Sequence, residues 1–167
     1  MDPAVKRVLE EYRREDMPVG IFMKSLREAV NSAGISIIDE SLGKAVAAGR
    51  GRHTGGRDLM TVLLRAYGFE TRPLREYCTA EEIADACSDP DVAVLCLSFQ
   101  TTYDLPDLKT ITGLLAERGI RDRIVLSAGG TAVSERIASE AGCDVFRMTA
   151  LETAEAVEKE VRKRNSA

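Results

Sequence analysis

Between Val5 and Ala33, apolar residues recur every three or four positions, which predicts two amphipathic helices. Pro3 suits the first turn of one helix, and Pro18 suits the first turn of a second helix that Gly34 ends. The apolar stripes of the two helices are Val5, Val8, Leu9 and Tyr12, and then Val19, Phe22, Leu26, Ala29, Val30 and Ala33. We expect these stripes to pack on each other, on the rest of the chain or on a second copy of it. The alternative is that they remain from a helical cap over a ligand.

Short apolar runs alternate with amphipathic stretches from residue 44 onward. The strand candidates are Lys44–Gly49, Phe69–Leu74, Val92–Leu97, Ile124–Ser127 and Asp144–Arg147. Because strands and helices alternate strictly, the strands should be parallel, with helices on both faces of the sheet. The predicted fold class is therefore α/β, a five-stranded parallel doubly wound sheet of the flavodoxin-like or Rossmann-like kind. It should occupy residues 44–167 and follow a short helical segment at residues 1–43.

Composition excludes several classes of protein. The chain has 167 residues and a formal net charge of −4, which argues against a general nucleic-acid binder. Its four cysteines form no Cys-x-x-Cys pair, which argues against zinc, a redox dithiol or a disulfide framework. We see no signal-peptide pattern, and no apolar run approaches the about 20 residues that span a bilayer. We therefore expect a cytoplasmic protein that binds neither nucleic acid nor membrane.

Segments rich in glycine and polar residues follow three of the predicted strands. Ligands of doubly wound sheets bind at the carboxyl ends of the strands, where the strand order reverses, which here should be between the first and third strands. The candidate binding residues in these segments are Gly51, Arg52, His53, Thr54, Gly55, Gly56, Ser98, Gln100, Thr101, Thr102, Gly129, Gly130 and Thr131. The sequence thus predicts one shared site at this edge of the sheet.

The spacing of these residues resembles the signature of the cobalamin-binding domain family. That signature reads Asp-x-His-x-x-Gly, then Ser-x-Leu, then Gly-Gly. The corresponding elements here are Gly51-x-His53-x-x-Gly56, Ser98-x-Gln100 and Gly129-Gly130. Gly56 and Ser98 are separated by 41 residues, and Gln100 and Gly129 by 28, as is typical of the family.

The resemblance implies a cobalamin cofactor with His53 as the ligand of its cobalt. In the family, the histidine displaces the dimethylbenzimidazole base, and the freed nucleotide tail enters a channel between sheet and helices. A neutral imidazole nitrogen is a suitable cobalt ligand, and glycine lets the backbone approach a bulky tail closely. Ser98 would then hydrogen-bond the buried heterocycle, while Thr101 and Thr102 would add polar contacts.

Two positions depart from the signature. Gly51 replaces an aspartate that fixes the histidine tautomer, and the loss of such a partner typically weakens metal binding about 10–100-fold. Gln100 replaces a leucine and brings an amide to a channel that is normally apolar. The amide either hydrogen-bonds the tail or narrows the channel.

The resemblance implies a methyl-group carrier that works with partner methyltransferases, because the helical segment resembles a shortened cap of methyl-transfer corrinoid proteins. The alternatives are a small cobalamin-binding subunit of an adenosylcobalamin-dependent mutase, or a degenerate interaction module that no longer binds the cofactor. His53 is the only histidine, and no acid/base pair or nucleophile triad is evident. A cofactor-carrying subunit is therefore favoured over a complete enzyme, and the stripe from Val19 to Ala33 makes a homodimer plausible.

Two other ligand classes fit the sequence less well. Arg50, Arg52 and Arg57 lie in a glycine-rich loop that could hold a phosphate. However, Thr54 stands where the dinucleotide-binding pattern needs glycine, and Arg57 follows Gly56 where a phosphate-binding loop needs lysine. A receiver domain would need a phosphorylatable aspartate at the end of the third strand, where Ser98 stands.

Overall fold

Four parallel strands form the centre of the chain in the computed structural model, which describes residues 1–14 and 17–167. The strands are β1 (Lys44–Gly49), β2 (Glu70–Pro73), β3 (Val92–Ser98) and β4 (Val125–Gly129), in the order β2-β1-β3-β4. The helices are α1 (Pro3–Arg14), α2 (Val19–Ala33), α3 (Gly55–Ala66), α4 (Ala80–Ala86), α5 (Pro106–Glu117), α6 (Glu135–Glu140) and α7 (Ala150–Asn165). The α/β fold class and the parallel doubly wound arrangement are confirmed.

Two apolar clusters lie on opposite faces of the sheet. One packs β-strand side chains such as Leu95 and Leu126 against α4, α5 and α6. The other packs side chains such as Val94 and Val125 against α3 and α7. Because β1 and β3 are covered on both faces, their sequences are nearly continuous apolar runs.

The predicted fifth strand, Asp144–Arg147, does not form. Only Val145 makes an isolated parallel bridge, to Ser127 of β4. Asp144 contacts β4 through its backbone N–H, which donates to the Leu126 carbonyl at 2.8 Å, and through its carboxylate, which accepts from the Leu126 N–H at 2.7 Å. Because the carboxylate occupies that donor, the backbone ladder does not extend before Asp144, and after Val145 the chain leaves the sheet, so the sheet has four strands.

Helices α1 and α2 pack on the outer side of α3 and α7. Their buried side chains, which include Leu9 and Leu26, join the same apolar cluster as α3 and α7. Arg13 of α1 donates hydrogen bonds to Tyr67 at 3.2 Å and to Glu155 of α7 at 2.9 Å. The residues that join α2 to β1 form two short 3-10 turns, Gly34–Ile37 and Glu40–Leu42. No helix of the described part of the chain combines the length and apolar character that crossing a membrane requires.

Candidate functional site

A cavity of about 440 Å³ opens at the carboxyl ends of β3 and β4, between the sheet and helices α3 and α7. Side chains alternate across a strand, so Cys96 and Ser98 of β3 point to the same face as their partners Ser127 and Gly129 of β4. The lining residues are Gly56, Leu59, Met60, Cys96, Leu97, Ser98, Gln100, Ser127, Gly129, Gly130, Thr131, Val133, Phe146, Arg147, Met148, Thr149, Ala150 and Thr153. The cavity therefore lies at the carboxyl edge of the sheet that the sequence indicates, but at β3 and β4 rather than between β1 and β3.

Gly56 and Ser98 lie in close contact in the wall of the cavity. A Cβ atom added to Gly56 would overlap the hydroxyl oxygen of Ser98. The first turn of α3 can therefore lie this close to the end of β3 only with glycine at position 56. Ser98 is 5% exposed, and its hydroxyl oxygen accepts a hydrogen bond from Nε2 of Gln100 at 3.2 Å.

Gln100 links the segments that follow β3 and β4. While its Nε2 donates to Ser98, its Oε1 lies 3.1 Å from the Thr131 hydroxyl, which also lies 2.9 Å from the Gln100 carbonyl oxygen. The amide that replaces the leucine of the signature is thus held at the mouth of the cavity and gives that mouth a polar edge.

Gly129 and Gly130, the paired glycines of the signature, have different structural roles. Gly130 has a φ of 100°, and an added Cβ would overlap the backbone of Phe99. Glycine is required at position 130 because the loops after β3 and β4 approach each other closely there. An added Cβ at Gly129 would meet no atom within 4 Å. Gly129 lines the cavity, so its lack of a side chain leaves space that a ligand can use.

The segment after β1 lies beside the cavity and is anchored by Arg50. The Arg50 guanidinium pairs with Asp107 of α5, with Nε at 2.9 Å, and also donates to the carbonyl of Cys78. His53 is exposed, and its imidazole has no hydrogen-bond partner within residues 1–14 and 17–167. Arg50 therefore anchors the start of this segment, and the imidazole of His53 faces solvent.

The arginines of this segment do not form a common anion site. Arg50 is committed to Asp107, and Arg57 pairs with Asp58 at 2.7 Å and donates to the Leu74 carbonyl at 2.7 Å. Because both guanidiniums are already satisfied, the structure gives no support to a phosphate site here.

Of the predicted site residues, six line the cavity and seven do not. Those in its wall are Gly56, Ser98, Gln100, Gly129, Gly130 and Thr131. Those outside it are Gly51, Arg52, His53, Thr54, Gly55, Thr101 and Thr102. Thr101 instead donates a hydrogen bond to Asp104 at 2.7 Å and so stabilises the turn after β3.

Sequence reasoning missed the inner and far walls of the cavity. Phe146–Ala150 comprise the end of the predicted fifth strand and the residues after it, so the rule about carboxyl ends of strands could have found them. The contributions of α3 and α7, such as Met60 and Thr153, depend on helix packing and carry no sequence signal. Cys96 lies at the inner end, where burial raises the pKa of its thiol to about 12 and keeps it neutral.

Comparison with known proteins gives a consistent relationship, although no protein-family model matches the chain. The chain is similar to dimethylamine corrinoid protein 3 of Methanosarcina mazei, with 25% identity over 100 residues that make up 60% of each chain. It is also similar to the D-ornithine 4,5-aminomutase subunit beta of Acetoanaerobium sticklandii, with 26% identity over 126 residues, 71% of this chain and 16% of that one. The matched region spans 47–60% of the length of the first dimethylamine corrinoid proteins.

Solved structures share the fold. A cobalamin-binding protein from Desulfitobacterium hafniense matches with a TM-score of 0.75 and 20% identity, covering 93% of this chain and 77% of that one. The methanol:cobalamin methyltransferase complex of Methanosarcina barkeri matches with a TM-score of 0.79 and 21% identity, covering 95% and 63%. The predicted resemblance to cobalamin-binding domains, closest to methyl-transfer corrinoid proteins, is confirmed.

Proposed function

We propose that this chain binds a corrinoid cofactor and carries a methyl group for partner methyltransferases. The observation that carries the proposal is the cavity at the carboxyl ends of β3 and β4, whose wall contains residues from all three signature elements: Gly56, Ser98 and Gly129-Gly130. The nucleotide tail would occupy this cavity, and the corrin ring would lie over the edge of the sheet.

The residues present fit such a cofactor. The cavity volume, about 440 Å³, falls within the range of small-molecule sites. Gly56 and Gly129 leave room for a heterocycle, and the hydroxyl of Ser98 can hydrogen-bond it. His53 offers a ring nitrogen without a partner in the described residues, so it can serve as the metal ligand. A bound corrinoid would supply a cobalt centre that accepts and releases methyl groups.

A partner protein is part of the proposal. Tyr103, in the segment after β3, and Met148, in the segment between α6 and α7, are 94% and 86% exposed. In this proposal the two exposed side chains would form part of the surface that the partner contacts. The printed names of the relatives, dimethylamine corrinoid proteins and a methanol:cobalamin methyltransferase complex, support methyltransferases as those partners. Turnover of a methylated substrate by the purified, cobalamin-loaded chain alone would contradict the need for a partner.

The second candidate is a cobalamin-binding subunit of a mutase. The match to the beta subunit of D-ornithine 4,5-aminomutase favours it, and that match covers more of this chain than the match to dimethylamine corrinoid protein 3. The methyl-carrier proposal is preferred because most of the similar sequences are dimethylamine corrinoid proteins. We also propose that the protein is located in the cytoplasm.

A homodimer stays a prediction. Val19 and Ile21 of α2 are exposed although most of the stripe on that helix is buried within the chain. Light scattering would give twice the mass of one chain if α2 pairs two copies. A monomeric mass would contradict this part of the proposal.

Tail binding in the cavity is tested by substituting Gly129→Leu. The substitution projects a side chain into space that the tail needs, so we expect hydroxocobalamin binding to weaken at least about tenfold in equilibrium dialysis. Gly113→Leu is the matched control, because Gly113 is exposed on α5 and an added Cβ there also meets no atom within 4 Å. The control should bind like the wild type.

Equal binding by the Gly129→Leu variant would contradict the placement of the tail. Absence of saturable binding by the wild type would contradict the proposal as a whole. The degenerate interaction module would then be the better account.

A further inference from the structure

Ser127 of β4 is a buried hydroxyl that the fold itself does not use. The residue is 2% exposed and lines the cavity. Within the described residues only Ser98 and Ser127 are buried and polar. The Ser98 hydroxyl oxygen accepts a hydrogen bond from Gln100, whereas the Ser127 hydroxyl makes no hydrogen bond within the described residues. Since buried polar groups are nearly always hydrogen-bonded, this donor is available to a ligand.

The hydroxyl lies at the inner end of the cavity. Ser127 pairs with Cys96, two residues along the strands from the Ser98–Gly129 pair near the mouth. Two residues along a strand correspond to about 7 Å. The next pair on the same face, Val94 and Val125, is buried and does not line the cavity. Whatever enters the cavity deepest therefore meets Ser127.

The surroundings of Ser127 at the inner end of the cavity offer its hydroxyl no strong hydrogen-bond partner. The adjacent Cys96 thiol is neutral at physiological pH and a weak hydrogen-bonding group. The other inner walls come from apolar side chains such as Leu59 and Met60 of α3. An apolar ligand edge placed here would leave the Ser127 donor desolvated and unpaired, which weakens binding by about tenfold.

We infer that the chain prefers a corrinoid whose lower base presents a hydrogen-bond acceptor at its buried edge, over the dimethylbenzimidazole of cobalamin. The inference rests on the proposed function, because the lower base is the part of the tail that would reach Ser127. Purines and hydroxylated benzimidazoles carry such acceptors, whereas the methyl groups of dimethylbenzimidazole do not. Ser127 is thus a specificity-determining residue of the cofactor site.

Equilibrium dialysis with four corrinoids tests this inference. They are cobalamin, the corresponding corrinoids with adenine or 5-hydroxybenzimidazole as the lower base, and cobinamide, which has no base. The wild type should bind at least one acceptor-bearing form about tenfold more tightly than cobalamin. In the Ser127→Ala variant that form should weaken about tenfold, while cobalamin and cobinamide bind as before or more tightly.

Ser88→Ala is the matched control, because the Ser88 hydroxyl already donates to the Ala84 carbonyl at 3.0 Å at the end of α4. It should leave all four affinities unchanged. If circular dichroism shows that Ser127→Ala is unfolded, Ser127→Cys removes the strong donor with almost no change in shape and carries the same expectation.

Three results would overturn the inference and leave the proposed function intact. They are equal wild-type affinities for cobalamin and both acceptor-bearing forms, a preference that survives the substitution, or an equal loss of cobinamide binding. Binding of none of the four corrinoids by the wild type would instead refute the proposed function.

Discussion

Gly51 adopts a φ of 63°, a backbone conformation that glycine occupies without a steric penalty. It stands where the cobalamin-binding signature has an aspartate. An added Cβ would meet no atom within 4 Å, so space does not exclude a larger residue. Aspartate tolerates positive φ better than most residues do. The missing carboxylate can therefore be restored at a modest cost in stability.

We predict that Gly51→Asp tightens hydroxocobalamin binding by up to about tenfold, because a carboxylate near His53 can orient and polarise its imidazole. The same variant should be less stable than the wild type by about 1 kcal/mol, because of the positive φ. Gly51→Ala is the control, since it introduces the backbone strain without the carboxylate. Titration followed by visible absorption measures the affinities, and equal affinities for the two variants would count against the role of the carboxylate.

At the scale of elements, Asp144 joins the edge of β4 to helix α7. Its carboxylate accepts from the Leu126 N–H at 2.7 Å and pairs with Arg121 and Arg164, each at 2.9 Å. Arg164 belongs to α7, which forms one wall of the cavity. One side chain thus satisfies the edge of β4 and ties the last helix to it.

Substituting Asp144→Ala should lower the free energy of unfolding by about 2–3 kcal/mol, because the Leu126 N–H and two guanidiniums lose their partner. Asp122→Ala provides the comparison, since Asp122 is exposed in a nearby turn. Urea denaturation measures both. A loss at Asp144 no larger than that at Asp122 would mean that this carboxylate does not hold the edge.

The same residue shows what the sequence could and could not predict. The hydrophobic pattern indicates β1 to β4 to within one or two residues, because apolar runs and their periodicity determine which segments can be buried. Asp144–Arg147 has a similar pattern, yet only Val145 forms a bridge to β4, and a side-chain hydrogen bond between residues 18 positions apart occupies the Leu126 donor beside it. Such long-range competition leaves no local signal. Ser127 was missed as a site residue for the same reason, since only the register with Cys96 places it at the inner end of the cavity.

At the scale of the whole molecule, the chain leaves one edge of its sheet open. Helices α1 and α2 pack on α3 and α7, and none of their described residues lines the cavity. The segments after β1 and β3 and the segment between α6 and α7 instead present His53, Tyr103 and Met148 to solvent. A cofactor bound here would have its tail enclosed and its other face accessible. This arrangement suits a carrier that meets more than one partner.

The most direct test of this account is a visible absorption titration with hydroxocobalamin that compares the wild type with His53→Ala. The wild type should bind with a spectral shift, because the imidazole replaces the lower ligand of cobalt. The variant should bind more weakly through the tail alone and should show no shift. Identical spectral shifts in the two proteins would contradict the role of His53, and absence of binding by the wild type would contradict the account as a whole.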